Sequence, residues 1–281
     1  MLMNPFAKAF LLTLFAGLAT GIGSAIALIS KRTTPRFLSV SMGFSAGVMI
    51  FVSLVELFAD ARTQLSMVWG GRGGYWGAIG GFFAGMALIA AIDRLVPPAV
   101  NPHEARAREA AAYEAADTRA CADAAESHRG ARLLRTGLLT AFVVALHNLP
   151  EGVATFFAAL QDPRLGLTIA FAIAIHNIPE GIAISVPVYY ATGSRKKAFW
   201  YSFGSGLSEP VGAVLGYLLL RPLLGGPTFG LILAAVAGIM TYISLDELLP
   251  SAHEYGESHL AMAGLAGGMA VMAISLALAT P

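Results

Sequence analysis

His147-Asn148-Leu149-Pro150-Glu151-Gly152-Val153-Ala154 is followed, in the next apolar stretch of the chain, by His176-Asn177-Ile178-Pro179-Glu180-Gly181-Ile182-Ala183, with six of the eight positions identical. Each copy lies part-way along an apolar run, at 136–160 and 165–189, long enough to cross the roughly 30 Å of bilayer hydrocarbon as a helix. On a helix the His and the Glu four residues on share a face, and the Asn three residues before the Glu joins them, so each copy offers three nitrogen or oxygen donors on one side. Pro150 and Pro179 lack an N–H and crowd the carbonyls of Leu146 and Ile175. Each helix is therefore expected to bend and to free backbone oxygen beside the donors. A membrane tolerates such backbone only against protein or a water-lined cavity. The loop between the copies reverses the chain, so they should lie antiparallel, as in transporters built from inverted repeats.

The rest of the chain agrees with a membrane setting. Of 281 residues 56% are hydrophobic and 12% charged, half the charged share of a soluble domain, which argues against a water-soluble enzyme and against disorder. The balance of 18 Lys+Arg against 17 Asp+Glu, +1 at pH 7, gives no electrostatic footprint for nucleic acid. The single cysteine, Cys121, forms neither an internal disulfide nor a thiolate zinc site. Eight apolar runs are long enough to span: 6–29, 37–59, 75–96, 136–160, 165–189, 197–220, 227–249 and 258–280. The first is too long for a signal-peptide core and is followed by Lys31-Arg32, so it reads as a retained span. The stretch 97–135, rich in Ala, Glu and Arg, reads as a solvated loop dividing three spans from five. With both termini outside, thirteen of the 18 Lys and Arg fall in the inner loops, which the positive-inside bias favours. The expectation is an all-α integral membrane protein, a single polytopic domain of eight helices, with 97–135 a cytoplasmic loop.

Glu209 falls near the middle of the sixth run, so three carboxylates, Glu151, Glu180 and Glu209, reach the bilayer midplane at roughly 3 kcal/mol each if uncompensated. No Lys or Arg lies at that depth in any run, which leaves protons or a bound cation as the counter-charge. The donors are two imidazoles (His147, His176), two carboxamides (Asn148, Asn177) and those three carboxylates, a borderline set without thiolate. Zn²⁺ fits best, with Fe²⁺, Mn²⁺, Co²⁺ and Cd²⁺ as further candidates, and the histidines disfavour Mg²⁺ and Ca²⁺. Seven donors exceed the four of tetrahedral zinc. A binuclear site bridged by Glu151 and Glu180 and a single higher-coordinate site both remain open. Glu56, Asp93, Asp246, Glu247 and His253 form a rough ladder of pathway candidates, whereas Met49 reads as core filling. GxxxG spacings at Gly17/Gly21, Gly43/Gly47, Gly77/Gly81/Gly85, Gly212/Gly216 and Gly264/Gly268 mark expected close helix contacts. No phosphate-binding GxxxxGK[ST] is present, so transport without ATP is expected. The alternatives are a membrane-embedded metalloenzyme, for which there is no GxSxG, HExxH or histidine box, and a proton- or sodium-coupled exchanger, against which the paired histidines argue.

The doubled HNxPEG segments, the long loop before them, eight spans and Ser244-Leu245-Asp246-Glu247-Leu248-Leu249-Pro250 in the seventh together resemble the ZIP family of divalent metal transporters, nearest to its bacterial zinc-uptake branch. The resemblance implies a metal site built by the fourth, fifth and sixth spans from His147, Asn148, Glu151, His176, Asn177, Glu180 and Glu209. It implies import into the cytoplasm across the bacterial inner membrane, and a 3+2+3 arrangement in which the outer triplets are related by inverted symmetry. It also implies elevator-like sliding of the bundle holding the fourth and fifth spans, and a homodimer in many members. Some relatives replace the fifth-span His-Asn pair and differ in metal preference or in having a second site, which leaves selectivity open. The 97–135 loop is poor in histidine beside those of many relatives, so a metal-sensing role is not expected of it.

Overall fold

A computed structural model describes residues 4–29, 34–95, 141–142, 144–146, 148–220, 227–255 and 258–279. His147 and the 97–135 loop therefore lie outside the described residues. Those described are helical throughout, with no strand among them. The elements are α1 (Pro5–Ile29), α2 (Pro35–Phe51), a π-helical turn (Val52–Leu57) and α3 (Phe58–Leu95). Then follow α4 (148–161), α5 (Pro163–Thr192), α6 (Arg195–Gly206), α7 (Ser208–Leu220), α8 (Thr228–Ile243), a second π turn (Ser244–Leu248), α9 (Leu249–Tyr255) and α10 (Ser258–Ala279). The starts are set by local chemistry: Thr34 and Asp162 cap α2 and α5 by accepting from Phe37 N and Arg164 N, and Pro35 and Pro163 occupy the first turn, where an N–H is dispensable. Gly193, left-handed at φ 62, closes α5, and Ser194 caps α6 at once. α5 continues as one helix through Pro179.

Six helices among the described residues are long and apolar enough to cross a membrane. One of these, 36–94, has 59 residues, which as a straight rod would measure roughly 90 Å, three times the hydrocarbon thickness. It is not straight. Gly70 takes φ 75, ψ 163, a backbone state that only glycine enters cheaply, and the Phe58 and Phe82 rings stand 5.6 Å apart, where an unbroken helix would separate them by about 36 Å. The segment is a helical hairpin. Trp69, Tyr75 and Trp76 are exposed around its tip, the place that amphipathic rings prefer at a membrane–water boundary.

The packing reveals an internal repeat that the HNxPEG motif overshadows in the sequence. Residues 46–57, AGVMIFVSLVEL, and 237–248, AGIMTYISLDEL, share seven of twelve positions, and both end in a π turn. Residues 81–90, GFFAGMALIA, and 264–273, GLAGGMAVMA, share five of ten. The contacts repeat as well. Gly47 of α2 rests on the Leu265 carbonyl of α10, while Gly238 of α8 rests on the Phe82 carbonyl of α3; likewise Gly268 meets the Phe44 carbonyl and Gly85 that of Ala235. The small faces expected from the GxxxG spacings thus bring backbones together in matched pairs, α2 with α10 and α3 with α8. A second group forms around α1, α4, α5, α6 and α7, fastened at one end by Phe6, Phe156 and Tyr217, whose rings meet edge-on at 5.1 and 5.7 Å.

Gly238→Ala would drive a methyl into the Phe82 carbonyl, and should lower stability by about 1–3 kcal/mol. Gly80→Ala, in the α3 hairpin against which Gly238 packs and with nothing within 4 Å, should be neutral or gain about 0.5–1 kcal/mol. Thermal unfolding of the two variants in detergent checks the contrast, and equal melting temperatures would contradict the close-contact assignment.

Candidate metal centre

Six of the seven donors expected at the site are described, and Asn148, Glu151, His176, Asn177, Glu180 and Glu209 are each 0–1% exposed. Glu151 of α4 and His176 of α5 form a direct pair, Nε2 to Oε2 at 3.2 Å. The neighbouring Asn177 donates its amide both to the Ala16 carbonyl of α1 at 2.8 Å and to the Glu209 carboxylate of α7. Asn148 donates to the Ser205 carbonyl of α6 at 3.2 Å. Both asparagine amides are therefore spent on the scaffold, which turns their oxygens the other way. Among the described residues, Asn148 Oδ1, Asn177 Oδ1 and Glu151 Oε1 are buried acceptors without a hydrogen-bond partner. Each such atom costs about 1–3 kcal/mol unless something electropositive meets it. Glu180 is buried one turn beyond His176 on the same helix. Among the described residues no three His, Cys, Asp or Glu side chains stand close enough to hold a metal ion. The structure brings the donors together as two couples on adjacent residues of α5, His176 with Glu151 and Asn177 with Glu209.

The glycine of each motif makes these couples reachable. A Cβ on Gly152 would collide with the Glu209 carbonyl, and one on Gly181 with the Thr20 carbonyl. In the same way Gly212 sits on the Leu149 carbonyl and Gly23 on that of Ile178, while Gly17 and Gly206 meet each other. The α4–α7 and α5–α1 contacts are thus copies of one another, and the asparagine bonds to Ser205 and Ala16 obey the same correspondence. Ser202 of α6 donates to the Gly181 carbonyl at 3.1 Å, and Ser45 of α2 to that of His176 at 3.3 Å. The second of these is a direct bond from the other helix group onto a donor-bearing residue.

A family model described as "ZIP Zinc transporter" matches residues 98–276. The chain is 54% identical over 281 residues to the zinc transporter ZupT of Clostridium perfringens, covering 98% of this chain and 97% of that one. It is 58% identical over 270 residues to the ZupT of Nitratidesulfovibrio vulgaris, at 96% of each chain, and 57% over 271 residues to that of Lysinibacillus sphaericus, at 96% and 97%. The chain belongs to the ZIP family. As a ZIP protein with six helices among its described residues long and apolar enough to span, it is a multi-pass membrane transporter and not an enzyme, so the metalloenzyme alternative falls.

The remaining sequence candidates lie on other elements than the couples. Glu56 is half-buried in the first π turn, and Glu247, half-buried, shares the second with exposed Asp246. Glu56 and Glu247 occupy matching places in the repeat, a relation that aligning the second apolar run with the seventh would have exposed. π turns recur at functional sites because the extra residue re-aims its neighbours. Asp93 is half-buried near the end of α3, and His253 donates Nδ1–H to the Leu249 carbonyl at 2.8 Å within α9.

If Asn177 secures the Glu209 carboxylate, the two are energetically coupled. A double-mutant cycle with Asn177→Ala and Glu209→Ala, read by unfolding in detergent, should give a coupling of about 1.5–3 kcal/mol, the worth of a hydrogen bond to a charged group. Additive effects would break the assignment.

Proposed function

We propose that this chain carries Zn²⁺ across the cell membrane into the cytoplasm, with Fe²⁺, Mn²⁺, Co²⁺ and Cd²⁺ as further cargo, through a midplane site of His147, Asn148, Glu151, His176, Asn177, Glu180 and Glu209. The observation that carries the proposal is the set of acceptor oxygens on Glu151, Asn148 and Asn177, fully buried, without a donor, and beside the His176–Glu151 pair. A divalent cation is the partner such a set calls for, because no Lys or Arg lies near the middle of the spans that hold it. The names of the relatives, zinc transporters throughout, support zinc as the cargo. Imidazole nitrogens beside carboxylates suit Zn²⁺ better than the all-oxygen shells of Mg²⁺ and Ca²⁺. One ion or two bridged by Glu151 and Glu180 are both compatible with seven donors.

The proposed scaffold is an eight-span bundle with termini outside and a 3+2+3 order, of which the contact of α1 with α6–α7 and the matched contacts of α2 with α10 and of α3 with α8 are the support. The proposed motion is a sliding of the group around α4 and α5 against the group formed by α2, α3, α8 and α10. The bond from Ser45 to the His176 carbonyl crosses that boundary, within a broader apolar contact of α2 with α5. Glu56, Asp93, Asp246, Glu247 and His253 line the proposed approach and exit, and a homodimer is part of the same proposal.

In proteoliposomes containing a Zn²⁺ indicator, Glu151→Ala and Glu180→Ala should each cut flux at least about tenfold while inserting normally, since removing a midplane charge eases insertion. Flux equal to that of the unaltered protein in both variants would refute the site.

A further inference from the structure

The threonines inside the helices share a habit. Thr13, Thr63, Thr155, Thr168, Thr192 and Thr241 each donate their hydroxyl to the carbonyl four residues back, which hides the polar atom from apolar surroundings. Thr20 breaks the habit. It is 0% exposed and its Oγ1 has no hydrogen-bond partner among the described residues. The carbonyl it would use, that of Ala16, is instead the one that accepts from Asn177. A fully buried hydroxyl left in this state is a cost that valine, of the same shape, would avoid.

Its place in the fold supplies a reason. Asn177 holds the Ala16 carbonyl as Asn148 holds that of Ser205, and Gly181 rests on the Thr20 carbonyl as Gly152 rests on that of Glu209. Thr20 therefore occupies in α1 the position that Glu209 occupies in α7. Glu209 presents its carboxylate to Asn177. The matching neighbour of Thr20 is Asn148, whose Oδ1 is likewise buried and unpartnered. The Thr20 side chain packs on Gly206, where a Cβ would lie 2.8 Å from its Oγ1, next to the Ser205 that fixes Asn148.

We infer that Thr20 is a further member of the cation site: its hydroxyl oxygen serves the transported divalent ion on the Asn148 side, directly or through a water of the ion's own shell, as the neutral counterpart of Glu209. The inference rests on the transport reading above. It gives the site one charged wing and one neutral wing. A neutral oxygen helps strip the ion of water without adding a fourth carboxylate that would hold it too tightly to leave, the compromise every conducting site must strike.

Thr20→Val removes the oxygen and keeps the shape; Thr20→Ser keeps the oxygen and sheds a methyl. In full-length protein reconstituted with a Zn²⁺ indicator, Thr20→Val should raise the half-saturating Zn²⁺ concentration about three- to tenfold, the worth of one lost polar contact. Its melting temperature in detergent should be unchanged or raised, and Thr20→Ser should stay within about twofold of the unaltered protein. Half-saturation unchanged in Thr20→Val for Zn²⁺, Mn²⁺ and Cd²⁺ would overturn the inference, as would an equal loss in Thr20→Ser, which would make the methyl the working part. Equilibrium Zn²⁺ binding to the same purified proteins separates the two readings. Weaker binding in Thr20→Val supports the inference even where vesicles carry no Zn²⁺ and the transport reading fails. Flux lost in Glu151→Ala but kept, with unchanged half-saturation, in Thr20→Val leaves transport standing and removes Thr20.

Discussion

Carboxylates buried inside the helix bundle, on spans whose middles carry no Lys or Arg, are the constraint on which the rest of this structure depends. Glu151, Glu180 and Glu209 are each 0–1% exposed, and burying them uncompensated would consume a sizeable part of the 5–15 kcal/mol by which a folded protein is usually stable. The surrounding residues reduce that cost without cancelling it. His176 meets Glu151, Asn177 meets Glu209, and the asparagine amides are tied off on backbone carbonyls of α1 and α6. What remains is an excess of acceptors. That excess is what supports the proposed ion site.

Holding such groups in register needs helices nearer to one another than ordinary side chains permit. Glycine against carbonyl is the device used throughout: Gly152 on Glu209, Gly181 on Thr20, Gly23 on Ile178, Gly212 on Leu149, and in the other helix group Gly47 on Leu265 and Gly238 on Phe82. In lipid, where apolar side chains gain little by leaving one solvent for another like it, such close approach supplies the packing that hydrophobic burial supplies in water. Because each contact has a twin at the matching place in the repeat, the two halves of the chain share one packing scheme. Among the positions at which the repeats differ are Glu209 against Thr20, and Asp246 against Val55 in a π turn.

The sequence made the chemistry easier to read than the symmetry. His, Asn and Glu stand out in an apolar run, and twice at the same spacing they exclude coincidence, so the proposed donors of α4 and α5 are legible from 147–154 and 176–183 alone. The repeat of 46–57 in 237–248 is written mostly in Ala, Gly, Ile, Met and Leu, letters common to any membrane helix, and becomes evident only when the same glycines are found on the same carbonyls. Thr20 was silent for a similar reason, since a threonine in a membrane helix ordinarily bonds to its own backbone. Its distinction is that Asn177 takes the carbonyl. The grouping of the donors into two couples, with both asparagine nitrogens spent on the scaffold, depends on how α1 and α6 pack against α5 and α4. Residue spacing within one helix carries no trace of it.

The most direct test of the central claim, that the buried oxygens around His176 and Glu151 are the seat of the ion, is Zn K-edge X-ray absorption on purified protein equilibrated with Zn²⁺. The account predicts a nitrogen and oxygen shell at about 2.0–2.2 Å with imidazole scattering and no sulfur shell near about 2.3 Å, and loss of the imidazole signal together with most of the bound zinc in His176→Ala and Glu151→Ala. Zinc bound with undiminished stoichiometry and an unchanged spectrum in both variants would place the ion elsewhere and contradict it.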